Sequence, residues 1–325
     1  MDNIDLIKVI TERIESCPQQ RITFADYMTS VLYHPQYGYY ASNAERISAS
    51  GDFLTSPHLA EDFGEMLTIQ LYQIWQMLGE VPLFSIVEMG AGQGLLAAQI
   101  LDYASRVYPD FFQSIDYIII ETAPAMIVAQ QSKLIDLPVR WCEWTEIPDR
   151  SIVGCFLSNE LIDAFGVHQV VVVEDKLQEV YVTIGDKERV FNETIDKLST
   201  DRLETYWQLN QINLLSGKYP DGYRTEVNLA ALEWLEQVFK KLQRGYIISI
   251  DYGYTAARYY NPMRTQGTLQ CYYQHAHHHD PYINIGNQDL TAHVDFTALQ
   301  NQGELLGLQT VGFIQQGMFL MALGL

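Results

Sequence analysis

The sequence predicts an α/β fold: a mostly parallel sheet with helices on both faces. Three observations lead there. Short β-rich runs at 84–87, 117–120, 139–142, 152–157 and 246–250 alternate with helical stretches, the pattern of strands joined by crossover helices. The first run passes directly into a glycine-rich loop and then a helical stretch. Finally, 48% apolar residues with only 18% charged ones supply a large core and exclude a disordered polyelectrolyte. The 325 residues accommodate one elaborated domain or two small ones.

Taken in order, Ile4, Ile7, Ile10 and Ile14 form one helical stripe. Residues 22–32 repeat the pattern with Phe24, Tyr27, Met28 and Val31, until His34-Pro35 and an aromatic loop break it. Thr55-Ser56-Pro57 places Ser at an N-cap position and Pro at the first helical one, and an apolar period then runs from Phe63 through Met66, Leu67, Leu71, Ile74 and Leu78 to a stop at Gly79. After the fourth β run, residues 168–173 and 179–184 read as a hairpin turning near Glu174-Asp175-Lys176, with two helical stretches beyond it. Residues 308–313 and 318–323, around Gln315-Gln316-Gly317, read as a second hairpin that closes the sheet.

Charge removes several functions. Twenty Lys plus Arg against 40 Asp plus Glu leave a formal charge of −20, which repels phosphate backbones, and no basic run offsets it, so no nucleic-acid partner is expected. The longest apolar stretches fall far short of the roughly 18 residues that span a bilayer, so no membrane span is expected. Asp2 and Asp5 precede the first base, Lys8, a pattern unlike a secretory signal or an Arg-rich transit peptide, so a cytoplasmic location is expected. Cys17, Cys142, Cys155 and Cys271 are scattered and read as reduced thiols.

The chemistry centres on Glu88-Met89-Gly90-Ala91-Gly92-Gln93-Gly94, between a strand and a helix. The dinucleotide fingerprint needs its third glycine where Leu95 stands; here it arrives one residue early, at Gly94. Glu88 would set a negative charge toward the ligand, which disfavours a pyrophosphate and suits the ammonium group of S-adenosylmethionine. Glu121, ending the second strand, could accept both ribose hydroxyls of an adenosyl group, a device that NAD-dependent oxidoreductases share. Trp141 and Trp144 could stack an adenine or serve as rim aromatics. The fourth strand ends at Ser158-Asn159-Glu160-Leu161-Ile162-Asp163, across the cleft from the glycine loop, making Asn159, Glu160 and Asp163 candidates for holding an acceptor. Helix N-terminal acids complementing the macrodipole are the alternative reading of Glu160 and Asp163.

Five strings, in order over nearly the whole chain, resemble the MidA family: Gly51-Asp52-Phe53-Leu54-Thr55-Ser56-Pro57, Glu88 to Gly94, Asn159-Glu160-Leu161-Ile162-Asp163-Ala164, Asp251-Tyr252-Gly253, and Asp289 to Phe296. The family consists of S-adenosylmethionine-dependent methyltransferases, and its mitochondrial members are assembly factors that methylate an arginine of a respiratory complex I subunit. The resemblance implies a class I methyltransferase, a Rossmann-like, seven-stranded, mostly parallel sheet. Residues 1–83 would be a helical extension, 84–166 and 245–325 the two parts of the core, and 167–244 an insertion. It implies cofactor contacts from Thr55, Ser56, Pro57, Glu88, Gly90, Ala91, Gly92, Gly94, Glu121 and Asn159. Glu160 first and Asp163 second would be the catalytic carboxylates, acting on an arginine of a protein partner such as a complex I subunit. The chain departs from the family at Ala91 and Gln93, where Pro and a basic residue are common, and at Leu161 and Gly166, where aromatics and Pro are; the latter pair bears on the acceptor.

Histidines 275, 277, 278 and 279 beside Asp280, with His293 and Asp295, supply enough ligands for a metal, but adjacent histidines on one segment rarely converge on one ion, and a solvated or substrate-lining loop is expected instead. A rival from another class is an assembly chaperone that binds the cofactor without turnover.

Overall fold

The five β runs form one sheet, every neighbouring pair parallel, in the order Leu242–Ile250, Ile152–Asn159, Phe84–Met89, Ile115–Ile120, Val139–Trp141. Numbered along the chain, these core strands lie in the order fifth, fourth, first, second, third. The computed structural model describes residues 2–42, 61–186, 189–274 and 276–325, so the expected cap at Thr55-Ser56-Pro57 lies outside the described residues. All six residues of the first core strand are buried. A central strand buried on both faces favours apolar residues throughout rather than alternation, and Phe84, Ile86, Val87 and Met89 supply them, with Ser85 and Glu88 the buried polar exceptions.

The chain divides into two units. One comprises 53–161, 236–251 and 310–325 and contains the parallel sheet. Its core gathers Phe84, Ile86, Tyr117, Ile119 and Leu157 from the strands with Leu96, Ala97, Ile100 and Leu101 from the helix Leu95–Val107. The helix Glu61–Met77, expected with the N-terminal extension, belongs here, and packs Phe63, Leu67, Leu71 and Ile74 into the same core. The expected closing hairpin is overturned: 308–315 form no regular element and Gln316–Leu323 is a helix. Among the described residues the sheet therefore has five strands rather than seven. Met318, Phe319, Leu320, Met321, Ala322 and Leu323 are apolar throughout with no strand alternation, and Leu, Met and Ala favour helix; Gly324 at φ +115 ends it in the left-handed region.

The other unit comprises 1–52, 162–235 and 252–309. The hairpin forms as expected, His168–Val173 against Lys176–Ile184, its two-residue turn made by Glu174 and Asp175 at φ +49 and +58. Three strands join it that the sequence reading missed: Ile22–Thr23, Phe191–Asp196 and Arg224–Val227. The segment 167–244 is thus not a separate body: as far as residue 235 it belongs to the unit that holds the N-terminal helices, and its Val182 and Phe191 share a core with Leu6, Ile10, Phe24, Tyr27 and Met28, while Val170, Val172, Leu203, Tyr206 and Trp207 pack in a second core. In the first helix, Ile4–Ser16, the buried stripe is Leu6, Ile10 and Ile14; Ile4 points to solvent. His277 and His278 lie on the edge strand Ala276–His278 of a small antiparallel sheet, and not in a loop; His275 is outside the described residues.

Candidate active site

The first core strand ends at Met89, and the chain turns through Gly90, Gly92 and Gly94, all in the left-handed region at φ +66, +53 and +75. Such angles suit glycine and strain other residues. The turn is closed by the Gly94 N–H donating to the Ala91 carbonyl at 2.8 Å, and Gly94 then starts the helix Leu95–Val107 with no side-chain cap. A Cβ at Gly90 would lie 2.8 Å from Leu161 Cδ1, the movable end of a side chain, so the left-handed φ of +66 more than packing calls for glycine there. Among the described residues, a Cβ at Gly92 would meet no atom within 4 Å, and they leave the loop open on that side.

Glu88 is not the exposed charge that its position suggested. It is buried between neighbouring strands, its Oε2 accepting the Tyr117 hydroxyl at 2.7 Å, and burial pushes its carboxyl up to about 7 against the lowering effect of that bond. Glu121 sits at the tip of the second core strand, half-buried. Its Oε1 accepts the N–H groups of Thr122 and Ala123 at 2.7 and 2.9 Å, and its Oε2 accepts Gln130 Nε2 at 3.1 Å. Burial raises its carboxyl above the ordinary value while these bonds oppose the rise. Of the roughly four lone-pair sites on a carboxylate, about one is left for a ligand, so room remains for one ribose hydroxyl rather than two.

The fourth core strand ends on Asn159 and Glu160. The Glu160 N–H donates to the Ile250 carbonyl at 2.8 Å, extending the ladder, while its φ of +50 turns the chain out of the sheet. A non-glycine residue in this region carries strain, which concentrates at functional sites. Asn159 Oδ1 and Gln93 Nε2 are buried and have no hydrogen-bond partner among the described residues. Trp141 donates from Nε1 to Gln130 Oε1 at 2.8 Å, and Trp144 stacks on Phe156. Asp163 falls in the other unit, buried, its carbonyl accepting the Ala292 N–H at 2.8 Å. Beside it Tyr40 donates its hydroxyl to Asp289 Oδ1 at 3.1 Å; burial raises that hydroxyl's pKa and the charges of Asp289 and Asp163 add to the rise.

The residue that sequence reasoning missed is Gln130, fully buried on the helix Pro124–Lys133. Its signal was present: Met126, Gln130 and Leu134 recur at four-residue intervals on the buried face, with an amide where the period calls for an apolar side chain. Among the described residues, no group of three or more His, Cys, Asp and Glu is placed to hold a metal ion.

A parallel sheet in this order reverses direction between its first and fourth strands, and a glycine loop leaving one tip with an acid on the neighbouring second strand defines an enzyme that binds a nucleoside cofactor at the carboxyl edge. The chain belongs to the family described as "Putative S-adenosyl-L-methionine-dependent methyltransferase", whose sequence model matches residues 66–314. Its cofactor is S-adenosylmethionine, and the described residues fit that group: among them two buried polar atoms, Asn159 Oδ1 and Gln93 Nε2, have no partner and lie in the segments at the carboxyl ends of the fourth and first strands, and they leave the loop open at Gly92.

Among solved structures, the chain is similar to a "likely methyl transferase" of Burkholderia thailandensis bound to S-adenosyl-homocysteine, with a TM-score of 0.85 and 30% identity, covering 99% of this chain and 81% of that one. A protein arginine methyltransferase NDUFAF7 homologue of Drosophila melanogaster is 28% identical over 92% of this chain and 70% of its own length. The mouse protein arginine methyltransferase NDUFAF7 is 26% identical over 94% and 71%. Both relatives are named as mitochondrial, and this overturns the expectation of a cytoplasmic protein.

Proposed function

We propose that this methyltransferase modifies an arginine side chain of a protein partner. The observation that carries the reading is the end of the fourth core strand, where a strained carboxylate residue, Glu160, follows an asparagine whose buried Oδ1 has no partner among the described residues. The relatives' names support arginine as the acceptor. When bound, the cofactor supplies an electrophilic methyl group on its sulfonium. The protein's task is then to align a nitrogen and exclude water. Guanidinium stays protonated, with a pKa above ~12, and is a weak nucleophile. In this reading Glu160 accepts its N–H bonds and holds positive charge away from the attacking nitrogen, and Asp163 orients it. Asn159, Glu121 and the backbone of Gly90 to Gly94 hold the cofactor, with Thr55, Ser56 and Pro57 contributing as the family resemblance implies. Glu88 acts from beneath the loop, and Ala91 shapes it.

The partner in this proposal is a subunit of a respiratory complex of the complex I type. The test is mass spectrometry of proteins from cells with and without this chain, joined to transfer of labelled methyl from S-adenosylmethionine into the knockout extract. One methylarginine lost on deletion and restored by the purified protein is expected. Label on lysine or on a small molecule would overturn the arginine reading, and no transfer at all would leave a cofactor-binding assembly chaperone.

A further inference from the structure

We infer that Gln130 is a positioning residue of the cofactor site, aiming the Glu121 carboxylate and holding the glycine loop to the second and third core strands. The inference rests on the reading that Glu121 binds the ribose. Gln130 uses its whole amide. Nε2 donates to the Gly92 carbonyl at 2.7 Å and to Glu121 Oε2 at 3.1 Å, and Oε1 accepts Trp141 Nε1 at 2.8 Å. The orientation of the amide follows from its partners. An indole N–H can only donate, and a carbonyl and a carboxylate can only accept, so the nitrogen must face the loop and Glu121. One fully buried side chain therefore ties together the glycine loop and the tips of the second and third core strands.

Few other side chains could do this. A carboxylate would set an acceptor against two acceptors, a methionine would leave all three partners unsatisfied, and asparagine is shorter by a methylene. The loop packs on the same helix face: a Cβ at Gly94 would lie 2.8 Å from Leu134 Cδ1 and 3.7 Å from Gln130 Cγ. Without the Gln130 bond, Glu121 Oε1 would still be held by the two N–H groups at 122 and 123, but Oε2, the oxygen with an acceptor site to spare, would be free to rotate about them. The effect predicted is thus on ligand orientation more than on folding.

The test is a double-mutant cycle on the full chain, read by calorimetric affinity for S-adenosylhomocysteine with melting temperature measured on the same samples. Glu121→Ala and Gln130→Met should each weaken binding by ~10-fold or more, the scale of a lost hydrogen bond to a charged group. In the Glu121→Ala background, Gln130→Met should cost at least ~threefold less than it does in the parent, because the carboxylate it aims is gone and only its bond to the Gly92 carbonyl is left to lose on the loop side. A residue that only supports the fold would give equal losses in both backgrounds, and that additivity, or unchanged affinity in Gln130→Met, overturns the inference while leaving Glu121 intact as ribose ligand. Unchanged affinity in Glu121→Ala would instead remove the ribose reading on which the inference rests, and the inference with it. If Gln130→Met does not fold, the same cycle is run with Gln130→Glu, which keeps an acceptor for Trp141 and loses both donors; the same non-additivity is expected and the same additivity refutes.

Discussion

Glu88→Gln should flatten the acid-side pH dependence of folding stability. Glu88 is 2% exposed, faces no cation in the hydrogen bonds that it makes, and accepts one bond, from Tyr117. Raising its carboxyl from the ordinary 4.5 to about 7 corresponds to roughly 3 kcal/mol, at ~1.4 kcal/mol per pH unit. The sign follows from proton counting. Between pH 4.5 and about 7 the native state holds a proton on Glu88 that the unfolded chain has released, so stability falls as pH rises through that window. The contribution is fully present below the unfolded value and is lost above the folded one. Glutamine keeps an oxygen to accept the Tyr117 hydroxyl and cannot ionise, so the variant lacks this slope. Its buried amide donors carry a pH-independent cost of about 1–3 kcal/mol, so the comparison must be the difference between variant and parent across pH and not either value alone. Urea titrations at half-unit steps from pH 4 to 8.5 measure it. The difference should be level below about pH 4.5 and above about 7, and between them should move in the variant's favour by an amount on the order of 3 kcal/mol. A difference constant across the range would show that Glu88 is ionised in the native protein and that burial does not govern it.

The remaining predictions concern the site. Gly92→Val should abolish binding of S-adenosylhomocysteine in calorimetry while the protein still folds, since a Cβ there meets no atom of the described residues but the residue must adopt φ +53, a strain of about 1–3 kcal/mol, and its side chain fills the side of the loop that they leave open. Wild-type affinity would place the cofactor elsewhere. Glu160→Gln should leave cofactor affinity and melting temperature near their original values and lower single-turnover methyl transfer roughly 100-fold or more, as when charge stabilisation is withdrawn from a transition state; full activity would remove Glu160 from the chemistry. Asp163→Asn should cost less in transfer than Glu160→Gln if it only orients the substrate, and a larger loss in the same assay would reverse their roles.

The α/β class, the order of strands and glycine loop, and the family were all legible in the sequence, because each depends on local patterns: largely apolar runs for buried parallel strands, glycines where φ must be positive, and the acids beside them. What stayed illegible depends on partners distant in the chain. The segment after residue 308 has apolar runs suited equally to a strand or a short helix, and only the observed burial of Leu320, with Met318 and Met321 left in solvent, distinguishes the helix. Short runs such as Phe191–Asp196 and Arg224–Val227 are strands because a neighbouring edge was available to pair with them. The sequence placed Glu88 and Glu121 at the ends of their strands and left Gln130 unnoticed. Tertiary structure alone decided that the first is buried against Tyr117, that the second already has three donors upon it, and that a glutamine nine residues further on holds it in place, since desolvation and hydrogen-bond saturation are properties of the packed neighbourhood and not of the residue.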